Sequence, residues 1–333
     1  MKIFVTGGGG FLGLAIVRQL CARGHDVVTF SRGNYPELDQ LGVKHFQGDL
    51  SNYGMVKEAM MDCEAVFHVA AKTGIWGKYE DFYQVNVAGT INVLQACREL
   101  GIRNMVFTSS TSVVYSSKDS EGQNESLPYP SKYKAWYPQT KAIAEKLVMA
   151  ANDTSLKTVS LRPHLIWGPE DPHYILRLFK KSKAGKLRII GRASNLVDCI
   201  YIDNAAQAHL QALDQLIMNP NAVEGKTYFI SQDNPLPITD FINKLLAAGG
   251  IPPVTKYLSP AIARFAGRFL EIMYLIFNIS GEPPITVFLA NQLSTSHWYD
   301  ISAAKKDFGY EVTVPLEVGM ERLREWVSKN SER

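Results

Sequence analysis

A tyrosine and a lysine four residues apart, Tyr137 and Lys141, have the types and spacing to carry out proton chemistry. On a helix, positions i and i+4 share one face, so both side chains would reach the same site. A nearby ammonium lowers the pKa of a phenol, which can then exchange a proton with a carbonyl or an alcohol near neutral pH. A second pair at this spacing, Tyr53 and Lys57, follows the predicted third strand, away from the expected chemistry.

Several hydroxyl groups follow the predicted fifth strand, in the segment FTSST at 107–111. A hydroxyl at the carboxyl end of a strand is well placed to polarise a substrate carbonyl beside the tyrosine. Most of these groups must form turns instead, and the choice of Ser110 depends on a resemblance described below. Asn86, on the helix after the predicted fourth strand, is either a residue that positions backbone or water behind Lys141 or an ordinary surface residue.

A glycine-rich segment, TGGGGFLG at 6–13, lies between a short apolar strand and an apolar helix. Gly7 is expected to turn the chain off the strand, Gly10 to leave room for a pyrophosphate, and Gly13 to let the helix pack against the sheet. The unpaired N–H groups at the helix start, around Phe11 and Leu12, would bind the phosphates. The segment therefore predicts a dinucleotide site, although its first gap is one residue longer than in G-x-G-x-x-G.

The end of the predicted second strand indicates which dinucleotide is bound. NAD-binding sheets carry an acid there that holds the ribose 2′-OH, whereas this chain has Ser31 followed by Arg32. A hydroxyl and a guanidinium can both bind a 2′-phosphate, so NADPH is favoured over NADH. The alternative is that Arg32 is a solvated loop residue.

Two further strand ends are predicted to face the cofactor. Asp49 and Leu50 end the third strand, where a carboxylate can accept a hydrogen bond from the adenine amine. Ala70 and Ala71 follow the fourth strand, where small side chains leave room for the cofactor.

Short apolar strands and amphipathic helices alternate through the first half of the chain, which predicts an α/β fold with a doubly wound parallel sheet, the Rossmann fold. The predicted strands are Lys2–Thr6, Asp26–Phe30, Val43–Gln47, Ala65–Val69, Asn104–Ser109 and Thr158–Arg162. The predicted helices are Leu12–Ala22, Met55–Met61, Phe82–Leu100 and Tyr137–Ala151. Past Pro163, frequent prolines separate shorter elements. We therefore expect an NADP-binding domain over 1–165 and a smaller α/β substrate region over 166–333, interleaved with the core.

Composition excludes several classes of protein. The chain has 333 residues, of which 46% are hydrophobic and 20% charged, as in an ordinary globular enzyme. A net charge of +3 without a basic arm argues against nucleic-acid binding. The cysteines Cys21, Cys63, Cys97 and Cys199 have no metal-binding spacing and predict reduced thiols in a cytoplasmic protein. Because the first residues already form a strand, we expect no signal peptide, and no stretch is long and apolar enough to span a membrane.

The chain resembles the extended short-chain dehydrogenases/reductases over essentially its whole length. The matching motifs are TGGGGFLG at 6–13, GDL at 48–50, HVAA at 68–71, NVAGT at 86–90, FTSS at 107–110, YPQTK at 137–141 and LRPHLIWGP at 161–169. The resemblance implies that Ser110 assists Tyr137 and Lys141 in catalysis. It also implies that the glycine loop, Asp49 and the residues around Pro163 contact the cofactor, and that a homodimer forms through the Phe82–Leu100 and Tyr137–Ala151 helices.

Two branches of this family compete as interpretations of the chain. Sugar-nucleotide epimerases and dehydratases carry an arginine that binds the diphosphate where this chain has Val197, which suggests an apolar substrate. The C-terminal half resembles the 3β-hydroxysteroid dehydrogenase-like branch, through NLVDCIYIDNAAQAH at 195–209, YFIS at 228–231 and HWYDISAAKKDFGY at 297–310. Within it, the chain is similar to the reductases that act on 2-alkyl-3-oxoalkanoates in bacterial long-chain olefin biosynthesis.

That similarity implies NADPH-dependent reduction of a β-keto acid with two long alkyl chains, alongside other enzymes of the olefin pathway. The alternatives are a sterol-type 3β-hydroxy dehydrogenase using NAD, a sugar-nucleotide epimerase and a non-catalytic NADP-binding protein. The residues expected around the substrate are Lys72, Trp76, His164, Trp167 and Val197.

An apolar helix is predicted within 257–298. Its apolar residues at helical spacing are Ala261, Phe265, Phe269, Ile272, Met273, Ile276 and Phe277. Such a face could line a lipid tunnel, rest on a membrane surface without spanning it, or pack in the core.

Overall fold

The structure is a computed structural model and describes residues 1–172 and 174–330. Its strands, numbered in chain order, are β1 (Lys2–Thr6), β2 (Asp26–Ser31), β3 (Lys44–Gln47), β4 (Ala65–His68), β5 (Asn104–Thr108), β6 (Ser120–Gln123), β7 (Lys157–Pro163), β8 (Leu165–Trp167), β9 (Ile189–Ile190), β10 (Leu196–Val197), β11 (Cys199–Tyr201), β12 (Lys226–Ile230), β13 (Leu236–Pro237), β14 (Tyr257–Leu258) and β15 (His297–Tyr299).

Its α-helices are α1 (Phe11–Ala22), α2 (Pro36–Gln40), α3 (Tyr53–Ala59), α4 (Tyr79–Tyr83), α5 (Gly89–Leu100), α6 (Trp136–Ala150), α7 (Tyr174–Lys183), α8 (Ile202–Met218), α9 (Pro220–Val223), α10 (Ile238–Ala248), α11 (Pro260–Ile276), α12 (Val287–Leu293), α13 (Ser302–Phe308) and α14 (Leu316–Asn330). A π-helical turn covers Gln84–Ala88 and a 3₁₀ turn covers Thr111–Val114.

A parallel sheet in the order β12-β7-β5-β4-β1-β2-β3 forms the centre of the described part of the chain. The strand order reverses between β4 and β1, which creates the switch point of a doubly wound fold. Ile3, Phe4 and Val5 of β1 are fully buried, as expected for a strand covered on both faces. The predicted α/β fold with a doubly wound parallel sheet is therefore confirmed, with all the predicted strands in place.

The C-terminal half also contributes to this sheet, because β12 pairs with β7 at its edge. A second sheet, in the order β13-β10-β15-β6, combines C-terminal strands with β6 from the first half. The chain thus crosses between the two regions, and the division into 1–165 and 166–333 stays a prediction.

The predicted helix Phe82–Leu100 lies within an unbroken helical segment, which begins earlier, at Tyr79, and contains a π-helical turn that was not predicted. The wider π turn contains Asn86, whose side chain is buried, with only 2% of the residue exposed. Its Oδ1 accepts a 2.7 Å hydrogen bond from the backbone N–H of Lys72, and its Nδ2 donates a 3.1 Å hydrogen bond to the carbonyl of Lys72. The surface interpretation of Asn86 is therefore excluded.

A buried ion pair joins α6 to the central sheet. The carboxylate of Glu145 lies 2.7 Å from the guanidinium of Arg162 on β7, and both side chains are almost fully buried. Tyr129 and Ser160 donate hydroxyl hydrogen bonds to the same carboxylate, at 2.6 and 3.0 Å. Burial alone would raise the pKa of Glu145, but hydrogen bonds and charge from Arg162 hold it below its usual value. The pair stays ionised and fixes α6 on the sheet.

The apolar helix predicted within 257–298 is α11, and it lies at the surface. Its Ala263 and Gly267 are buried against the protein, whereas Phe265 is 76% exposed. The face is thus neither core nor tunnel lining. None of the described helices is both long and apolar enough to cross a membrane.

Candidate active site

A cavity of about 640 Å³ lies at the carboxyl ends of β1, β2, β4 and β5, where the order of the central sheet reverses. Ligands of doubly wound sheets bind at this switch point. The predicted site residues that line the cavity are Gly7, Gly10, Phe11, Leu12, Gly13, Ser31, Arg32, Leu50, Ala70, Ala71, Ser110, Tyr137, Lys141, Pro163 and His164.

The glycine loop has a geometry that admits no larger side chains at two positions. Gly7 has φ +70°, and a Cβ there would lie 2.9 Å from the Cα of Ala70. A Cβ on Gly13 would overlap the carbonyl oxygen of Gly7. No side chain caps the start of α1, so its first N–H groups remain available at the cavity. This arrangement fits the pyrophosphate of a dinucleotide.

At the end of β2, the polar side chains of Ser31 and Arg32 face the same cavity. The hydroxyl of Ser31 is buried without a hydrogen-bond partner. The guanidinium of Arg32 forms no ion pair with any described residue, while its backbone carbonyl accepts a 2.8 Å hydrogen bond from Gln47. The loop is therefore held by its backbone, and both side chains are left to meet a ligand.

Lys141 lies beneath Tyr137 on the same face of α6, and only 2% of it is exposed. Its Nζ donates a 2.7 Å hydrogen bond to the carbonyl of Thr108 and lies 4.1 Å from the ring centroid of Phe107. Burial lowers the pKa of Lys141 to about 7, although the charge of Glu145 opposes that shift. An ammonium has three donors, so two remain for a ligand.

Ser110 lies beside Tyr137 at the start of the 3₁₀ turn. Its Oγ accepts hydrogen bonds from the backbone N–H and the hydroxyl of Ser112, at 3.1 and 2.9 Å. Both lone pairs of Ser110 are thus used, and its one proton is left to donate.

The expected lowering of the Tyr137 pKa by Lys141 is not found. Burial raises the pKa of Tyr137, and a hydrogen bond with Ser110 opposes the shift. The Nζ of Lys141 instead donates its hydrogen bond to the carbonyl of Thr108.

A buried chain of hydrogen bonds links the glycine-loop strand to the helix start that carries Tyr137. Thr6 Oγ1 lies 2.8 Å from His68 Nδ1, and His68 Nε2 lies 2.9 Å from the hydroxyl of Thr90. Thr90 donates to the carbonyl of Asn86, and the Asn86 amide donates to the hydroxyl of Thr140.

The direction of each bond in this chain can be assigned. Because Thr90 uses its proton on Asn86, it must accept from His68 Nε2–H. Thr6 Oγ1 already accepts from the backbone N–H groups of residues 69 and 70, so it donates to His68 Nδ1, which makes His68 a neutral imidazole. Burial and the charge of Lys141 lower the pKa of His68 to about 3, in agreement with that form. Thr140 in turn donates to the carbonyls of Trp136 and Tyr137, at 2.9 and 3.1 Å.

The structure does not bring Trp167 or Val197 to the cavity. Trp167 is fully buried in the core, with its ring centroid 5.3 Å from that of Tyr201 and 5.8 Å from that of Phe241. Val197 is 3% exposed within β10. The substrate contacts expected of both residues are corrected accordingly, because apolar packing occupies their side chains.

Three other predicted residues lie beside the cavity and do not line it. Lys72 directs its Nζ toward the carboxylate of Asp81 at 3.7 Å, and Trp76 packs edge-on against Tyr274 of α11. Asp49 accepts a 2.9 Å hydrogen bond from the N–H of Ser51, and hydrogen bonds from Ser51 lower its pKa.

His164 does line the cavity, but its ring stacks on that of His297 at a centroid distance of 5.1 Å. Burial lowers the pKa of His164 well below its usual value, so the ring is neutral. It therefore forms a wall of the cavity without supplying a charge.

Two features of the cavity were not predicted from the sequence. The ring of Tyr35 lies over the loop, where it would overlap a Cβ on Gly9. At the other end, Arg177 of α7 pairs with Glu282 at 2.8 Å across the lining. These two residues lie 105 positions apart, and no local pattern relates them.

Comparison with known proteins places this geometry in a family. A model of the 3-beta hydroxysteroid dehydrogenase/isomerase family matches residues 4–258. The chain belongs to this family. The predicted resemblance to its branch of the extended short-chain dehydrogenases/reductases is therefore confirmed, and the protein is an NAD(P)-dependent oxidoreductase.

Members of the family from bacteria and mammals match nearly the whole chain. The 2-alkyl-3-oxoalkanoate reductase of Shewanella oneidensis is 48% identical over 328 residues, covering 96% of this chain and 85% of the relative. That of Stenotrophomonas maltophilia is 48% identical over 326 residues, covering 97% and 98%. The decarboxylating sterol-4-alpha-carboxylate 3-dehydrogenase of Mus musculus is 33% identical over 326 residues, covering 96% and 89%.

A solved structure has the same fold. The UDP-glucuronic acid 4-epimerase of Bacillus cereus in complex with NAD superposes with a TM-score of 0.76 and 24% identity, over 99% of each chain. This likeness shows that the two chains share a fold.

The buried hydrogen-bond chain predicts the effect of a conservative substitution. Thr90→Val keeps the shape of the side chain but leaves the Nε2–H of His68 without an acceptor. We expect the free energy of unfolding to fall by about 1–3 kcal/mol, the cost of an unpaired buried donor. Chemical denaturation measures this loss, with Thr255→Val at an exposed position as the matched control. Equal stability of the two variants would contradict the assigned hydrogen-bond directions.

Proposed function

We propose that this protein uses NADPH to reduce a long-chain 2-alkyl-3-oxoalkanoate to the 2-alkyl-3-hydroxyalkanoate in olefinic hydrocarbon biosynthesis. The observation that carries the proposal is the 48% identity to two bacterial 2-alkyl-3-oxoalkanoate reductases over nearly the whole chain. Other enzymes of that pathway would supply the ketone and consume the alcohol.

The end of β2 supports NADPH as the cofactor. A 2′-phosphate would give the buried, unpartnered hydroxyl of Ser31 an acceptor and the guanidinium of Arg32 an ion partner. An acid at this position would favour NADH, and none is present. We assign the adenine side to Asp49 and Leu50 and the nicotinamide side to Ala70, Ala71 and Pro163 by the same reasoning from strand ends.

The proposed chemistry assigns one role to each catalytic side chain. Bound NADPH would supply a hydride to the ketone carbon. Tyr137 would give its phenolic proton to the ketone oxygen, which yields the alcohol, and would recover a proton from water. Ser110 would donate its remaining proton as a hydrogen bond to that oxygen while charge develops. Lys141 would hold the nicotinamide ribose with the donors that its bond to Thr108 leaves free.

The walls of the cavity support a lipid-like ketone. Val85, Leu165 and Ile166 line it with apolar side chains. The charged groups of Arg177 and Glu282, which also line it, form an ion pair with each other. A sugar-nucleotide epimerase would need a cation at position 197, where the buried Val197 offers none. A binding protein without activity would have no use for Ser110, Tyr137 and Lys141 in one cavity.

The second candidate is a sterol-type 3β-hydroxy dehydrogenase that runs the oxidation with NAD. The mammalian sterol dehydrogenase relative at 33% identity favours it. In that reaction Tyr137 would accept the proton of the alcohol instead of giving one.

Assembly is proposed on the same grounds. A homodimer through α5 and α6 would cover Ile91 and Trp136, each 43% exposed. The region over 166–333 would bind the substrate and the region over 1–165 the cofactor.

Cofactor preference tests the role of Arg32. Arg32→Ala should raise the KM for NADPH roughly tenfold or more, because a hydrogen bond to a charged group contributes about 1.5–3 kcal/mol. The KM for NADH should stay unchanged, as should both values in the exposed control Arg103→Ala. Steady-state kinetics with each cofactor measure the effect. A similar rise for both cofactors would show that Arg32 does not bind a 2′-phosphate.

Loss of the phenolic hydroxyl tests the chemistry. Tyr137→Phe should still bind NADPH in a fluorescence titration but should lose turnover by roughly 10²–10⁴-fold, the usual contribution of a positioned acid. Tyr53→Phe removes the hydroxyl of the other tyrosine–lysine pair and should leave turnover near normal. Near-normal turnover of Tyr137→Phe would overturn the assignment.

A further inference from the structure

One face of α11 is apolar and exposed along its whole length. Its residues recur every three or four positions, so they form a continuous strip that we name the apolar stripe. The stripe consists of Ile262 (58% exposed), Phe265 (76%), Phe269 (55%), Ile272 (42%) and Ile276 (69%). Phe277, directly after the helix, is 63% exposed and extends it. Contiguous exposed apolar surface of this kind marks an interaction site.

The opposite face of α11 is fixed to the protein. A Cβ on Gly267 would lie 2.8 Å from the backbone carbon of Thr286, so the helix approaches that segment closely. Glu271 accepts a 2.8 Å hydrogen bond from the N–H of Val287 at the start of α12. The helix is therefore anchored by its polar and small residues, and the apolar stripe faces away from the protein.

The charges beside the apolar stripe are positive. Arg264 and Arg268 are exposed, and neither forms an ion pair with a described residue. The one acid on the helix, Glu271, is occupied by its bond to Val287. A surface that combines this stripe with unpaired cations is complementary to a layer that is apolar inside and anionic outside.

A depression of about 500 Å³ at the start of α11 adds to this charge. Lys118, Arg192 and Arg264 line it, and the Nδ2 of Asn195 is buried there without a partner. Asp119 also lines it but accepts a hydrogen bond from the N–H of Ser296. The depression thus offers donors for the phosphate of a lipid headgroup.

We propose that the apolar stripe docks onto an anionic phospholipid bilayer, with α11 lying in the plane of the interface. No described helix can cross a membrane, so the contact is peripheral. A second copy of the chain fits the surface less well, because a symmetric contact would bring Arg264 and Arg268 toward the same cations of its partner. The docking itself does not depend on the proposed reaction.

The position of α11 gives the docking a consequence. Tyr274 near its end packs on Trp76, at a ring-centroid distance of 6.2 Å, and Glu282 in the following loop lines the active-site cavity. Docking would therefore bring the cavity mouth to the bilayer. If the proposed function holds, a ketone with long alkyl chains could pass between bilayer and cavity with little exposure to water.

Vesicle flotation of the full chain tests the proposal. Vesicles of phosphatidylcholine mixed with phosphatidylglycerol should bind the protein, and those of phosphatidylcholine alone should bind it far less. Phe265→Gln with Phe269→Gln should lower the partition coefficient at least about tenfold, since each exposed ring loses its burial in the interface. Arg264→Gln with Arg268→Gln should lower binding to the anionic vesicles about fivefold for each charge removed.

A matched control tests whether the loss of binding is specific to the apolar stripe or follows from removing any exposed apolar side chains. Met218→Gln with Met61→Gln removes two apolar side chains that are 80% and 52% exposed elsewhere, and binding should stay unchanged. Unfolding temperatures of all variants check that the fold persists. No binding to anionic vesicles, or an equal loss in the control, would overturn the proposal. Sedimentation velocity gives a further test. A dimer of the unmodified chain that the double substitution Phe265→Gln and Phe269→Gln dissociates would also overturn the proposal, because the apolar stripe would then bind a second copy.

Discussion

The buried ion pair between Glu145 and Arg162 is the interaction on which the site depends most. An unpaired charge in this position would cost about 3–5 kcal/mol, so the two side chains must stay together. Glu145 follows Lys141 by four residues and Tyr137 by eight, which puts all three on one face of α6. By fixing Glu145 on β7, the pair sets the rotation of α6 and so directs Tyr137 and Lys141 at the carboxyl edge of the sheet.

The start of α6 is fixed by a second set of buried polar contacts. The hydrogen-bond chain from Thr6 through His68 and Thr90 to Asn86 reaches Thr140, one residue before Lys141. Thr6 also accepts from the backbone N–H groups of residues 69 and 70, at the end of β4. The loop that fits the pyrophosphate and the helix that carries the proposed proton donor are thus parts of one rigid unit, as positioned chemistry requires.

What could be predicted from the sequence was the part set by local pattern. Apolar runs and glycines predict the strands, the switch point and the strand ends that line the cavity. These features depend on the burial of a few neighbouring residues and on tight turns, which short sequence patterns reveal. The π turn at Asn86 was missed, since helical periodicity does not reveal an extra residue in one turn. Arg177 and Glu282 meet only through the fold. Trp167 and Val197 were predicted to contact the substrate because of their positions in motifs. In the structure both side chains are enclosed by apolar packing.

Polarity is divided along the molecule in a way that suits an oxidoreductase of lipid-like ketones. The unpartnered hydroxyl of Ser31 and the guanidinium of Arg32 lie at the proposed cofactor end, while apolar surface lies along α11 beside the other end of the cavity. The central claim is the identity of the ketone. The most direct measurement follows NADPH absorbance in parallel with a long-chain 2-alkyl-3-oxoalkanoate, a 3-ketosteroid and a nucleotide sugar. We predict that kcat/KM for the 2-alkyl-3-oxoalkanoate exceeds the others by orders of magnitude. Faster turnover of the steroid, or epimerisation of the sugar without net oxidation of NADPH, would contradict it.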